Sequence, residues 1–334
     1  MDNVSCYSKT CSKIGFSMIL FYIFFTLSTF FVAFAEVIFE NYIPRFSFEV
    51  IFGLISAAIY FLSFSAAAFI LRKSCASLPN SRRIYTSFKI DKWIVCILLS
   101  VVAVNYAMSY LNISFFTVIF PKLSSNIIQP TVSDLVGRNT SEVVILFLIE
   151  ILSTAIVPAI CEEYLFRGAI LTNLLPFGKG TAIFASAFMF GMMHQNPLQI
   201  LYTTLMGIVI GYIYVKTRSI WICMLLHFFN NLTTVLEDFL PVLTKMEWLV
   251  YLMDLIIVVG GAISIVFLLL RRSKEHNPER DGSFGVIAER GIDVEEMSLE
   301  ISGREKIKRF FSVTVIVYTA VSIYSMLQTL TSFL

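Results

Sequence analysis

The sequence predicts an all-α fold, a polytopic transmembrane helical bundle of about nine spans. Three observations lead there. Of the 334 residues, 57% are hydrophobic and only 14% are charged, whereas soluble domains carry about a quarter charged residues. The mean hydropathy is +0.80. The apolar residues also fall in runs near the ~20 residues needed to cross a bilayer core. Such a chain cannot cover a water-facing surface with polar groups. Its net charge of +2 offers no broad basic face, so no nucleic-acid partner is expected. Membrane lipid and a peptide or protein substrate are the expected partners.

The first run, 14–36, follows Lys9 and Lys13. It is longer than a signal-peptide core and lacks a clear small-residue cleavage site, so it reads as a retained span. Runs at 50–71 and 93–119 follow. The fourth, 143–175, is too long for one simple crossing, and Pro158 predicts a kink within it. Further spans are expected at 180–196, 198–215, 219–236, 248–270 and 310–333. The six cysteines show neither a zinc-ribbon spacing nor a disulfide framework.

Charge in the loops sets the orientation. Arg72, Lys73, Arg82, Arg83, Lys89 and Lys92 lie between the second and third runs, and Lys216 and Arg218 lie between the sixth and seventh. The segment 271–309 opens on Arg271 and Arg272 and ends with Lys306, Lys308 and Arg309. These basic segments are expected in the cytoplasm, with the N-terminus inside and the C-terminus outside a cell membrane. The chain divides into a three-span region (1–142), a core (143–235) and C-terminal spans (236–334). Segment 271–309 within the last region is expected to be a partly disordered cytoplasmic linker. His276 lies in it and is assigned no chemistry.

Ionisable groups inside a bilayer cost several kcal/mol, so each one marks a candidate site. Glu162, Glu163 and Arg167 stand together in the fourth run. Glu163 and Arg167 are four apart, share a helical face and can pair. Glu162 points about 100° away and is free to face a cavity. His194 closes the fifth run, and His227 and Asn231, again four apart, share a face of the seventh. Counted from the cytoplasmic turns, Glu162, His194 and Asn231 each lie about 20 Å deep, and His227 about 13 Å. Four residues from three runs therefore reach comparable depths from one side.

Glu162-Glu163-x-x-x-Arg167, Phe190-x-x-x-His194 and His227-x-x-x-Asn231, in that order, resemble the three-motif signature of the CPBP family. These are intramembrane proteases that include type II CAAX prenyl endopeptidases and bacteriocin-processing or bacteriocin-immunity proteins. The resemblance covers about 143–235. It implies a helical bundle, with a core of about four helices, around a cavity open to the cytoplasm. It implies that Glu162 is the catalytic base, that His194 helps it hold a water, and that His227 and Asn231 stabilise the oxyanion. Glu163 and Arg167 would support Glu162.

The residue types suit amide hydrolysis, which needs an activated water and a stabilised tetrahedral oxyanion. None of the motifs places an obvious Ser, Cys or Lys nucleophile. Glu162, His194 and His227 are zinc ligands in kind, but no His-Glu-x-x-His helix is present, so zinc and metal-free chemistry both stay open, with metal-free chemistry slightly favoured. Two other classes remain: a non-enzymatic immunity or scaffold protein on the same fold, and a proton-coupled transporter, since intramembrane Glu and His also build proton relays.

Overall fold

The computed structural model describes residues 2–39, 42–75, 84, 93–119, 135, 137–274 and 299–331. These form ten helices: α1 (Asn3–Phe39), α2 (Arg45–Ser74), α3 (Ile94–Ile119), α4 (Thr140–Phe177), α5 (Lys179–Met193), α6 (Pro197–Thr217), α7 (Ile220–Thr244), α8 (Trp248–Lys274), α9 (Gly303–Phe310) and α10 (Val313–Thr331). Among the described residues, eight helices are long and apolar enough to cross a membrane, rather than the nine expected. Arg82, Arg83, Lys89, Lys92 and His276 lie outside the described residues, as does segment 275–298.

The missing span is α5. It has 15 residues, about 22 Å at 1.5 Å per residue, against a hydrocarbon core of about 30 Å. Its end is encoded locally. Asn196 accepts a hydrogen bond from the Leu198 amide at 2.9 Å, and Pro197 occupies the first turn of α6. Together they start a new helix where the apolar run alone suggested continuity. The chain reverses at His194–Asn196, with Gln195 at φ 49°, and α6 packs back along α5. The two helices approach closely because Gly207 faces Ala187: a Cβ added there would sit 3.0 Å from the Ala187 Cα and Cβ. Gly207→Ala is therefore expected to destabilise the protein by about 1–3 kcal/mol through overpacking. Gly180→Ala on α5, where nothing lies within 4 Å, should be neutral. Thermal unfolding of the two variants in detergent checks the contrast.

The fourth run becomes one long helix, α4, with π-helical stretches at Ile151–Ile156 and Tyr164–Leu171. Pro158 lies just after the first of them. Proline has no N–H, so it cannot bond the carbonyl four residues back, at Thr154. The Asn231 side chain on α7 takes that carbonyl instead, donating from Nδ2 at 2.9 Å. In the second stretch, side chains likewise reach the backbone carbonyls. Ser186 donates to Phe166 at 2.8 Å, Thr172 to Arg167 at 2.8 Å and Arg72 to Gly168 at 3.3 Å. The irregular helix is thus tied to α2, α5 and α7 by its own backbone.

A single hydrophobic cluster runs through the bundle, with buried residues from α1 (Met18), α2 (Phe64), α3 (Val101), α4 (Phe166), α5 (Met189), α6 (Ile210), α7 (Leu226) and α10 (Tyr318). Helix α8 packs on α3 through Ile257, Val102 and Ala103. Large apolar side chains such as Phe30, Phe31 and Phe34 are exposed on the outside of the bundle, as expected of a surface facing lipid.

The end of segment 271–309, from Leu299 on, is folded onto the bundle. The Leu299 amide donates to the Pro176 carbonyl at 2.9 Å, and Leu299 and Ile301 pack on the main cluster. Ser302 caps α9 through the Glu305 amide at 3.4 Å. Phe310 is buried with its ring 6.0 Å from Phe188 of α5. Three apolar residues and a serine cap are enough to dock this stretch, although the charge around them dominates the composition.

Candidate active site

Helix α4 sets Glu162 and Glu163 side by side, and α7 brings His227 to both. Glu163 is fully buried, Arg167 is 1% exposed, and Glu162 and His227 are 3% and 5% exposed. Arg167 donates from one guanidinium nitrogen to Glu163 Oε1 at 2.7 Å and from the other to the Gly207 carbonyl at 3.2 Å. Its guanidinium carbon lies 4.9 Å from the centre of the Phe190 ring. His227 Nδ1 lies 2.8 Å from the same Glu163 oxygen. A carboxylate that accepts from Arg167 also accepts from the imidazole, so Nδ1 carries the hydrogen and donates. In the neutral ring Nε2 is then an acceptor, aimed at Glu162 Oε2 across 3.7 Å. That gap is too long for a direct hydrogen bond.

Glu162 makes one hydrogen bond among the described residues, from the Tyr60 hydroxyl of α2 to Oε1. Its Oε2 is buried and without a partner. His194 caps the C-terminal end of α5, half-buried, with Nδ1 2.9 Å from the Phe190 carbonyl. A carbonyl only accepts, so Nδ1 is the protonated nitrogen and Nε2 is left as an acceptor. Glu162 and His227 are the titratable groups that act electrostatically on His194. Phe190 stands between the two histidines, with ring-centre distances of 5.0 Å to His194 and 5.9 Å to His227.

Asn231 stands one turn beyond His227 on α7, with its amide nitrogen on Thr154 rather than on a glutamate. Its oxygen accepts from Asn230 at 3.3 Å, and the Asn230 oxygen accepts from Asn105 of α3 at 2.6 Å. A row of three amides thus leads from α3 to the irregular part of α4. Tyr60, Asn105 and Asn230 were not singled out from the sequence. Asn105 could have been, as a polar residue inside the apolar third run. Tyr60 offers no such signal, because tyrosine is common in apolar helices.

Among the described residues, no group of three or more His, Cys, Asp and Glu side chains could hold a metal ion. The candidate zinc set Glu162, His194 and His227 is not brought together as such a group, although the Nδ1 donors of both histidines leave each Nε2 free as an acceptor.

Residues 144–233 match the family described as Type II CAAX prenyl endopeptidase Rce1-like. A Bacillus subtilis (strain 168) protein named "Putative membrane peptidase YdiL" is 32% identical over 114 residues. That stretch is 33% of this chain and 45% of the relative, so the match spans less than half of that protein. No solved structure matches the chain. Glu162, Glu163, Arg167, His194, His227 and Asn231 all lie within the matched residues, so the three motifs fall in the segment, 144–233, that is similar to the Rce1-like type II CAAX prenyl endopeptidase family.

Proposed function

We propose that this protein is an intramembrane endopeptidase that hydrolyses a peptide bond near the terminus of a membrane-associated, lipidated or otherwise hydrophobic peptide. The observation that carries the reading is the unpartnered Oε2 of Glu162, buried and 3.7 Å from His227 Nε2. A water brought to Oε2 with the substrate would lose one proton to Glu162 as its oxygen bonds to the carbonyl carbon. His194 Nε2 would accept the second hydrogen of that water and so help hold it. Glu162 would then pass that proton to His227 Nε2, and the Glu163 carboxylate at Nδ1 would stabilise the imidazolium. The protonated ring would then be a donor toward the developing oxyanion or the departing amine. Asn231 acts from one turn away, through the donor hydrogen on Nδ2 that Thr154 leaves free. By the positive-inside rule, the end bearing Lys179, Lys216, Arg218 and Lys306 faces the cytoplasm, and the cavity opens on that side.

The test is a comparison of peptide termini in membranes containing the wild-type protein with those containing His194→Ala. New termini near chain ends should appear with the wild type alone and be reproduced by the purified protein. Their absence from both sets would sink the reading and favour a scaffold or immunity role on the same fold. Metal content is checked separately: removal of divalent ions by chelation should leave cleavage by the purified protein unchanged, whereas loss of activity restored by zinc would assign a metal to the site.

A further inference from the structure

We propose that Tyr60 is a positioning residue for Glu162: its hydroxyl holds one carboxylate oxygen so that the other faces His227. The inference rests on the hydrolase reading for its catalytic meaning. Its structural content stands independently of that reading. Tyr60 belongs to α2, outside the 144–233 segment that matches the family, so nothing in that match assigns it.

The terminal torsion of a glutamate side chain is soft and roughly two-fold, so burial alone does not choose which oxygen points where. A hydrogen bond from a rigid donor does. The Tyr60 hydroxyl supplies the one hydrogen bond that Glu162 makes among the described residues, at Oε1. The donor is itself held. Its ring stacks on Phe64 with centres 4.6 Å apart and planes 29° apart, and meets Phe25 of α1 edge-on at 5.9 Å. Phe64 is fully buried and lies 4.5 Å from Phe21. Three aromatic rings from α1 and α2 thus fix the direction of one O–H bond.

Two consequences follow for Glu162. With Oε1 holding the phenol, the oxygen left without a partner among the described residues is Oε2, the atom that faces Nε2 of His227. In addition, a buried carboxylate with no donor carries the full desolvation cost, and the phenol offsets part of it. The first three helices therefore complete the site, with α2 aiming the base.

The experiment uses the full-length protein in lipid nanodiscs and the variant Tyr60→Phe, which keeps the aromatic stack and removes one oxygen. The first readout needs no substrate. Difference infrared spectra, each protein minus its own Glu162→Gln partner, isolate the Glu162 carboxylate band. The band is expected to move between wild type and Tyr60→Phe, and an identical band in both overturns the proposal. The second readout is kinetic, on the peptide cut by the wild type. A kcat lowered about 10- to 100-fold, with KM and melting temperature little changed, is the expected result for loss of one charge-assisted hydrogen bond. An unchanged kcat, or a fall accompanied by a comparable loss of melting temperature, overturns it. Full activity in Glu162→Gln would remove Glu162 as the base, and the infrared comparison would still decide whether Tyr60 holds the carboxylate.

Discussion

Glu162→Gln is expected to leave a folded protein whose hydrolysis falls by about 10²- to 10⁴-fold, the range that a positioned general base contributes. Glutamine has the same shape, and its oxygen still accepts from the Tyr60 hydroxyl that Glu162 uses. The change removes negative charge from a side chain that is 3% exposed, so nothing buried is left uncompensated. What disappears is the acceptor that faces His227 Nε2 across 3.7 Å. Melting temperature and peptide hydrolysis, measured on the same preparation, should separate: the first stays near wild type and the second is lost. A Gln variant with wild-type turnover would mean that the water is activated elsewhere or that the site is not hydrolytic.

Arg167→Met should have the opposite signature, a loss of the protein itself. Arg167 and Glu163 are 1% and 0% exposed in their side chains, and their bond is 2.7 Å. Removing one partner of a buried pair typically costs about 3–5 kcal/mol, because the remaining charge has no solvent and no counter-ion. Glu163 would keep only His227. The Gly207 carbonyl would also lose its donor, which loosens α6 against α4. Adding Glu163→Gln to Arg167→Met should recover part of the stability, since the stranded charge is then gone. The thermal melts of the two single variants and the double variant give the coupling directly. Melts that simply add would mean that the pair contributes nothing as a pair.

Much of this was legible because a bilayer makes polarity conspicuous. Glu162, Glu163, Arg167, His194, His227 and Asn231 stand out from apolar runs on cost alone, and the i, i+4 spacing of Glu163 and Arg167 predicted the pair that forms. The long apolar runs fixed the all-helical architecture for the same reason. Four things were hidden. The role of Tyr60 depends on α2 meeting α4, a contact between residues 102 apart in sequence, and no local period encodes it. The link from Asn231 to Thr154 depends on Pro158 stripping a carbonyl of its donor, which becomes visible only once α7 lies beside α4. The shortness of α5 was written in Asn196 and Pro197, a start signal outweighed by the apolar residues around it. Finally, Leu299, Ile301 and Phe310 were masked by the charge density of the segment they anchor.

The reversal at His194–Asn196 has a bearing on hydration. A 15-residue helix that starts at one interface stops about 8 Å short of the far edge of a ~30 Å hydrocarbon slab. The residues that follow are unwound. Lipid tails offer nothing to peptide groups outside a helical ladder, so non-helical backbone persists at such depth only when protein covers it or water reaches it. His194, Gln195 and Asn196 are only half-buried by protein. The bend that carries His194 is therefore also a wet spot.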